Sequence, residues 1–268
     1  MKQDLDIKYL VIVGISVMAV LFTSFLVALI FSQRKKLKYQ KNMQSLKEQQ
    51  QNQLIEAAVR SEETERHRIA ETLHDEVGAI LSSAKLHLLG IKAAALDERD
   101  QQMHEKGGSL LNEVIQKVRG ISHNLHSNIL KEFGLNEAIR DFIKKTVNSS
   151  AIEADTNLDD HYMSENHDDD ISTYRMIQEL VNNILKYAGA KRLQISSLLK
   201  ENELDLEIFH NGDGLTQEQF EELSFLKEGL GLKNIRNRII LLKGSIRFSK
   251  DEDGYRIHIH VPVKSIVA

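Results

Sequence analysis

The sequence predicts a membrane-anchored chain of mixed class. One N-terminal transmembrane helix leads into a two-helix hairpin that dimerises as a four-helix bundle, and a C-terminal α/β sandwich follows. Three observations predict this. Residues 9–31 carry no charge, residues from about 65 to 129 repeat apolar side chains at spacings of three and four, and beyond residue 134 short β-rich runs alternate with helices and glycine turns. The composition agrees: 28% charged and 41% hydrophobic residues suit one or two compact units with added segments. A net charge of -4 argues against direct nucleic-acid binding. The absence of cysteine excludes disulfides and cysteine-ligated zinc, and a single proline, Pro262, fits a helix-rich chain.

The first element is the uncharged run. At about 1.5 Å per residue its 23 residues span about 34 Å, enough to cross a bilayer core of about 30 Å. Arg34, Lys35, Lys36, Lys38 and Lys41 follow directly, whereas Lys2 and Lys8 are balanced by Asp4 and Asp6. The positive-inside bias therefore expects residues 1–8 outside a cell membrane, a single pass over 9–31, and a cytoplasmic remainder. So short an outer segment would leave no room for an extracellular ligand-binding domain. Residues 32–62 are rich in Lys and Gln without proline, and read as a continuous helical linker whose poor heptad allows only marginal coiled-coil pairing.

The stretch around His74 comes next. Ile69, Leu73, Val77, Ile80, Leu81, Ala84, Leu88 and Ile91 form a helical stripe expected to bury itself against a partner helix. His74 lies about 100° of turn from the Leu73 line, beside the core and within reach of solvent. Asp75 follows it. Gly78, where glycine costs a helix roughly 1 kcal/mol relative to alanine, is expected to clear space around the imidazole for a bulky reagent. This makes His74 a candidate nucleophile for a phosphoryl group, against the plainer reading of one surface histidine among 11. After a loop near residues 97–100, Leu111, Val114, Val118, Ile121, Leu125 and Ile129 mark a second helix, antiparallel to the first. Two such helices bury little alone, so a second copy is expected to complete the core. His123 and His126 on that helix read as packed or solvated.

The last module opens with a helix over 135–147 and a short strand at Ile152, Glu153 and Ala154. The acidic stretch 159–170 contains His161 and His167 but lacks the rigid spacing of a metal site. It reads as a solvated connection whose last aspartates cap the helix that follows. That helix, about 171–188, places Glu179, Asn183 and Lys186 at i, i+4 and i+7 on one face. A carboxylate, an amide oxygen and an ammonium suit a magnesium–phosphate group, with Asn183 offering oxygen to the metal. Strands over 193–199 and 203–209 lead to the turn Asn211, Gly212, Asp213 and Gly214. A connecting segment then reaches Gly229, Leu230, Gly231, Leu232 and Asn234, a glycine loop that opens a helix and can receive phosphate on its free amides. Strands over 245–249 and 255–261 close a mixed sheet with helices on one face.

In this order the motifs resemble the two-component sensor histidine kinases, in the subfamily that works with LuxR-like response regulators. The matching residues of the first block are Glu65, Arg66, Arg68, Ile69, Ala70, Leu73, His74, Asp75 and Gly78. The second module resembles the GHKL ATPase fold, with Glu179, Asn183 and Lys186 as its N box, Asn211 to Gly214 as its first glycine box, and Gly229, Gly231, Leu232 and Asn234 as its second. The resemblance covers about residues 62–262. It implies a homodimer with a hairpin over 63–132 and an ATP-binding domain over 133–268. It further implies ATP-dependent phosphorylation of His74, with Asp75 as general base or orienting group and Glu71 as the rival carboxylate. Asn183 would hold Mg²⁺, Lys186 the phosphates, and Gly229 and Gly231 the lid end of the nucleotide. The phosphoryl group would pass to an aspartate of a separate cytoplasmic regulator. A non-catalytic nucleotide-sensing dimer that controls a partner kinase is the alternative. Three positions depart from the family pattern. His210 stands where an aspartate usually bonds the adenine amino group, Tyr187 where a histidine often follows the N-box lysine, and Ala79 where a glutamine often positions water for regulator dephosphorylation. Weak phosphatase activity is expected from the last.

Overall fold

The computed structural model describes residues 2–91, 97–125, 128–149, 152–163, 166–226 and 230–263, with the side chains of 2–13, 15–17, 19, 20, 27, 28, 128, 148 and 149 also outside the described set. It divides into two compact units, Met1–Leu54 and Ile55–Ala268. The first is helical over its described residues, as part of α1 (Lys2–Thr72). Its described apolar side chains are exposed, among them Leu21, Phe22, Phe25, Ile30 and Phe31. Among the described residues no helix is long and apolar enough to cross a membrane. Much of the run 9–31 on which that expectation rests lies outside the described side chains.

In the second unit α1 continues through a π-turn, Leu73–Val77, into α2 (Gly78–Leu89), and α3 (Glu98–Leu125) packs back against both. The antiparallel hairpin has a thin core in the single chain. Ala70 and Ile115 are buried, Ser122 donates its hydroxyl to the Ala70 carbonyl at 3.0 Å, and no residue of α2 is buried. The expected burial of the whole apolar stripe is therefore corrected: Ile69 is 36% and Ile80 69% exposed, and Ile91 is also exposed. Two helices offer each other only one narrow contact line, and the second side of the stripe has no partner among the described residues.

α4 (Asn128–Ser149) departs from helical geometry at Gly134, whose φ of 81° glycine adopts without Cβ strain. Thus Ile129 belongs to this element and not to α3. β1 (Glu153–Asn157), α5 (His167–Asn183) with a further π-turn at Ile184–Ala188, β2 (Arg192–Lys200), β3 (Glu203–His210), α6 (Gln217–Phe225), α7 (Leu230–Leu241), β4 (Ser245–Lys250) and β5 (Tyr255–Pro262) follow. The five strands lie in the order β1-β2-β3-β5-β4, with β1 parallel to β2 and the other pairs antiparallel. Alternation decides the faces. Leu193, Ile195, Leu204, Leu206, Ile208, Ile257, Ile259 and Val261 are buried in one core with Met176, Ile177, Leu180 and Val181 of α5 and Ile235 and Ile239 of α7. The opposite face carries ion pairs, Arg256 with Glu207 at 2.8 Å and His260 with Asp205.

The acidic connection is tied down. Asp159 accepts from the backbone N–H of Leu199 at 2.8 Å and of His161 at 2.9 Å, and these bonds bring its carboxyl down to about 2. The N-cap of α5 is Asn166, whose side chain accepts from Asp168 N; the three aspartates expected to cap lie inside the first turn, where they complement the helix dipole. α6 was expected only as a connecting segment. Its start is a reciprocal capping box, with Thr216 Oγ1 accepting from Gln219 N at 3.2 Å and Gln219 Oε1 from Thr216 N at 2.9 Å.

A nucleotide-sized cleft and an exposed histidine

His74 and Asp75 lie in the π-turn and are both exposed. The Gly78 N–H reaches back five residues to the Leu73 carbonyl, which widens the helix at the histidine. Neither His74 nor Asp75 makes a side-chain hydrogen bond among the described residues. Glu71 is engaged elsewhere, with His67 Nε2 at 3.2 Å, which leaves Asp75, the next residue in the chain after His74, as an unengaged carboxylate. Gly78 does not clear the space around His74. A Cβ built there would touch only the Leu73 carbonyl oxygen, at an ordinary 3.5 Å, and no atom of the imidazole. The access of His74 comes instead from its position on the outer side of the hairpin.

In the sheet module, α5, its π-turn, the ends of β3 and β5 and the start of α7 enclose an open cleft of about 700 Å³. That size falls within the range of small-molecule sites. Glu179, Asn183, Lys186, His210, Asp213, Gly214, Gly231 and Leu232 all line it. The π-turn brings neighbouring residues 186 and 187 to the same wall. The Lys186 ammonium lies 5.0 Å from the Tyr187 ring centroid, and Tyr187 raises its pKa. Leu180, Ile184, Leu215, Leu223, Phe248 and Ile257 supply the apolar surface. The cleft thus has a polar end on α5 and an apolar floor against the sheet.

Close approaches explain the glycines. A Cβ on Gly231 would overlap the Glu179 carboxylate, so the second glycine box lies directly on the N box. A Cβ on Gly214 would lie 2.5 Å from the Tyr255 ring, and one on Gly212 would overlap the Ala188 carbonyl and come within 2.7 Å of Ala190 N. Gly212 itself is not on the cleft wall; it lets the turn press against the end of the α5 π-turn. Asp213 N donates to Ala188 O at 2.8 Å, and Asn211 Oδ1 accepts from Lys191 N and Arg192 N at 2.9 and 2.8 Å. Gly229 lies outside the described residues. Asn234 lines a separate crevice between the hairpin and α5, together with Glu62, Arg66, Asn124, Arg175 and Arg238.

The buried residues of that crevice carried no signal in the sequence reading. Arg175, 6% exposed, donates to Glu63 from Nε at 3.1 Å and from Nη2 at 2.5 Å. It also donates to the carbonyls of Asn124 at 3.0 Å and Leu125 at 2.5 Å, at the C-terminal end of α3, and to Gln178 Oε1 at 2.8 Å. Arg238, 3% exposed, meets Glu62 at 3.2 Å; burial lowers its pKa while Glu62 and Glu63 oppose that. One guanidinium therefore joins α1, the end of α3 and α5. His210 and Tyr255 are stacked at 5.7 Å with 9° between their planes, and both line the cleft. Burial pushes the His210 imidazole below its ordinary pKa.

Comparison with known proteins adds the following. Residues 168–265 match the family described as histidine kinase-, DNA gyrase B- and HSP90-like ATPase, and residues 65–130 match a family described as histidine kinase. Oxygen sensor histidine kinase NreB of Staphylococcus carnosus is 26% identical over 216 residues, covering 80% of this chain and 60% of that protein. Sensor histidine kinase MctS of Rhizobium johnstonii is 24% identical over 211 residues, covering 78% and 45%. Sensor protein VraS of Staphylococcus aureus is 27% identical over 207 residues, covering 75% and 56%. The chain spans between 45% and 60% of the length of these relatives.

Proposed function

Because the chain belongs to the two-component sensor histidine kinases, we propose that it transfers the γ-phosphoryl group of ATP to His74, and from there to an aspartate of a response regulator. One observation carries this reading. The cleft that gathers Glu179, Asn183 and Lys186 against Gly231 belongs to the same compact unit as an exposed histidine followed by an unengaged carboxylate.

Each group has a role that its chemistry allows. The neutral imidazole of His74 attacks through Nε2, forming the N–P bond as the bond from the γ-phosphorus to the β-phosphate oxygen breaks and ADP leaves. Asp75 takes the Nδ1 proton of the resulting phosphoimidazolium or orients the ring before attack. Adjacent helical side chains diverge, so Asp75 reaches the imidazole by choice of rotamer. Lys186 meets phosphate charge, and the apolar floor holds the base. The cleft residues fit a magnesium–nucleotide group: the Asn183 amide oxygen is a hard donor on the same wall as the Glu179 carboxylate. Mg²⁺, when bound, would neutralise phosphate charge as the phosphoryl group moves. Positioning and charge neutralisation dominate such a transfer, which is why the protein needs little covalent machinery beyond His74.

The finer features belong to the same proposal. The exposed faces of the hairpin support a homodimer, with residues 63–132 of two copies forming the four-helix bundle and residues 133–268 the ATP-binding domain. The uncharged run 9–31 followed by a basic cluster supports a single membrane pass with residues 1–8 outside and the catalytic part cytoplasmic. The regulator is of the LuxR-like type, and Ala79, which offers no side-chain hydrogen bond, makes dephosphorylation of that regulator weak. Incubating the full chain with γ-labelled ATP and Mg²⁺ tests the central step. The expected result is acid-labile, base-stable label on the protein that disappears in His74→Gln. Label that survives that substitution would refute His74 as the acceptor.

A further inference from the structure

His210 closes β3, and the alternation that buries Leu204, Leu206 and Ile208 places it on the core face of the sheet, opposite Tyr255 in the register. The residue is 2% exposed and lines the cleft, and its Nδ1 is sealed from solvent with no hydrogen-bond partner among the described residues. With no partner on Nδ1, nothing among the described residues fixes the tautomer, so the other ring nitrogen can serve as donor or acceptor. Tyr255 holds the ring nearly parallel to its own in a stack, and Tyr255 is itself pressed onto Gly214. The imidazole is therefore held in position, at the apolar end of the cleft that would receive the base.

The chemistry at this place differs from that of the aspartate in the family pattern. A carboxylate only accepts hydrogen bonds, so it selects the 6-amino group of adenine and repels the 6-carbonyl of guanine. A neutral imidazole carries one N–H and one lone pair and exchanges them between tautomers. Burial supports the neutral form by disfavouring the imidazolium. We propose that His210 reads the 6-position of a purine in either polarity, so that the cleft accepts 6-oxo purine nucleotides such as GTP as well as ATP. This rests on the reading of the cleft as a nucleotide site, and adds that its base selectivity is relaxed.

Calorimetric titration of the full chain with ATP and with GTP, each with Mg²⁺, tests it. The expected Kd values for the wild-type chain lie within about tenfold of each other. In His210→Asp, GTP should weaken relative to ATP by roughly a hundredfold, the scale on which a site rejects a partner that leaves a buried polar group mismatched. His210→Asn, whose amide again presents both a donor and an acceptor, should keep the ratio near that of wild type. A wild-type chain that binds ATP but prefers it over GTP by more than about a hundredfold would overturn the relaxed selectivity alone. A chain that binds neither nucleotide would overturn the nucleotide reading of the cleft as well. The wild-type ratio decides the matter even if His210→Asp fails to fold.

Discussion

At the scale of single residues, the glycines separate into two kinds. Gly78 sits in a helix, and a methyl group there meets nothing closer than 3.5 Å. Gly78→Ala should therefore stabilise the fold by up to about 1 kcal/mol, the helix-propensity difference, and leave His74 accessible. Gly212 faces backbone atoms of residues 188 and 190 that cannot rotate away. Gly212→Ala should cost about 1–3 kcal/mol, as overpacking does, and weaken nucleotide binding. Thermal melting and nucleotide titration of the two variants check the pair; a raised melting temperature for Gly212→Ala would contradict the geometry. The sequence showed that glycines clustered at turns, but not which of them bears a close approach. That depends on residues distant in the chain: residues 188 and 190 for Gly212, Tyr255 for Gly214 and Glu179 for Gly231.

At the scale of elements, Arg175 is the tie between hairpin and sheet module. Removing one partner of a buried pair strands the other, so Arg175→Ala should lower the free energy of unfolding by roughly 3 kcal/mol. Glu63→Gln should cost less, because Arg175 keeps the carbonyls of Asn124 and Leu125. Denaturant unfolding of both variants and of the double variant measures the coupling, and strictly additive losses would show that the pair is not a unit. This tie was illegible in the sequence. Arg175 and Glu63 lie 112 residues apart, each on a helix whose periodicity announces only its apolar face. Where signals are local they could be read. The strands at 192–200, 203–210, 245–250 and 255–262 fall within a residue of their predicted ends, and alternation fixed their faces. The helix at 217–225 also had its signal, Thr216 followed three residues later by Gln219. The π-turns at His74 and Lys186 had none, because the pattern that marks an α-helix carries no mark for one added residue in the turn.

At the scale of the whole molecule, the hairpin presents apolar surface that the other described residues leave uncovered. Ile80, Leu86, Leu89, Leu110, Val114 and Ile121 are all exposed. Ile80→Glu removes no packing within the chain, since Ile80 is 69% exposed there. It should therefore leave the fold intact, convert a dimer to monomers in sedimentation velocity, and reduce labelling of His74. An unchanged sedimentation coefficient would place the dimer contact elsewhere. The sequence made this need for a partner legible by the length of its apolar stripe. It did not reveal how little of that stripe the hairpin covers by itself, because coverage depends on how deep two helices pack.

The order of the strands in the sheet bears on how the protein is made. β5, the fifth strand in chain order, lies between β3 and β4 and pairs with both. While a ribosome is still adding residues 211–254, β3 has β2 on one side and an open edge on the other, and β4 emerges with no strand to pair with. Unpaired strand edges are where nascent chains stick to one another. The interval between the synthesis of β3 and of β5 is therefore the one in which the sheet edge is most open to such pairing. A ribosome that pauses within it leaves the cleft without Tyr255 and Ile257.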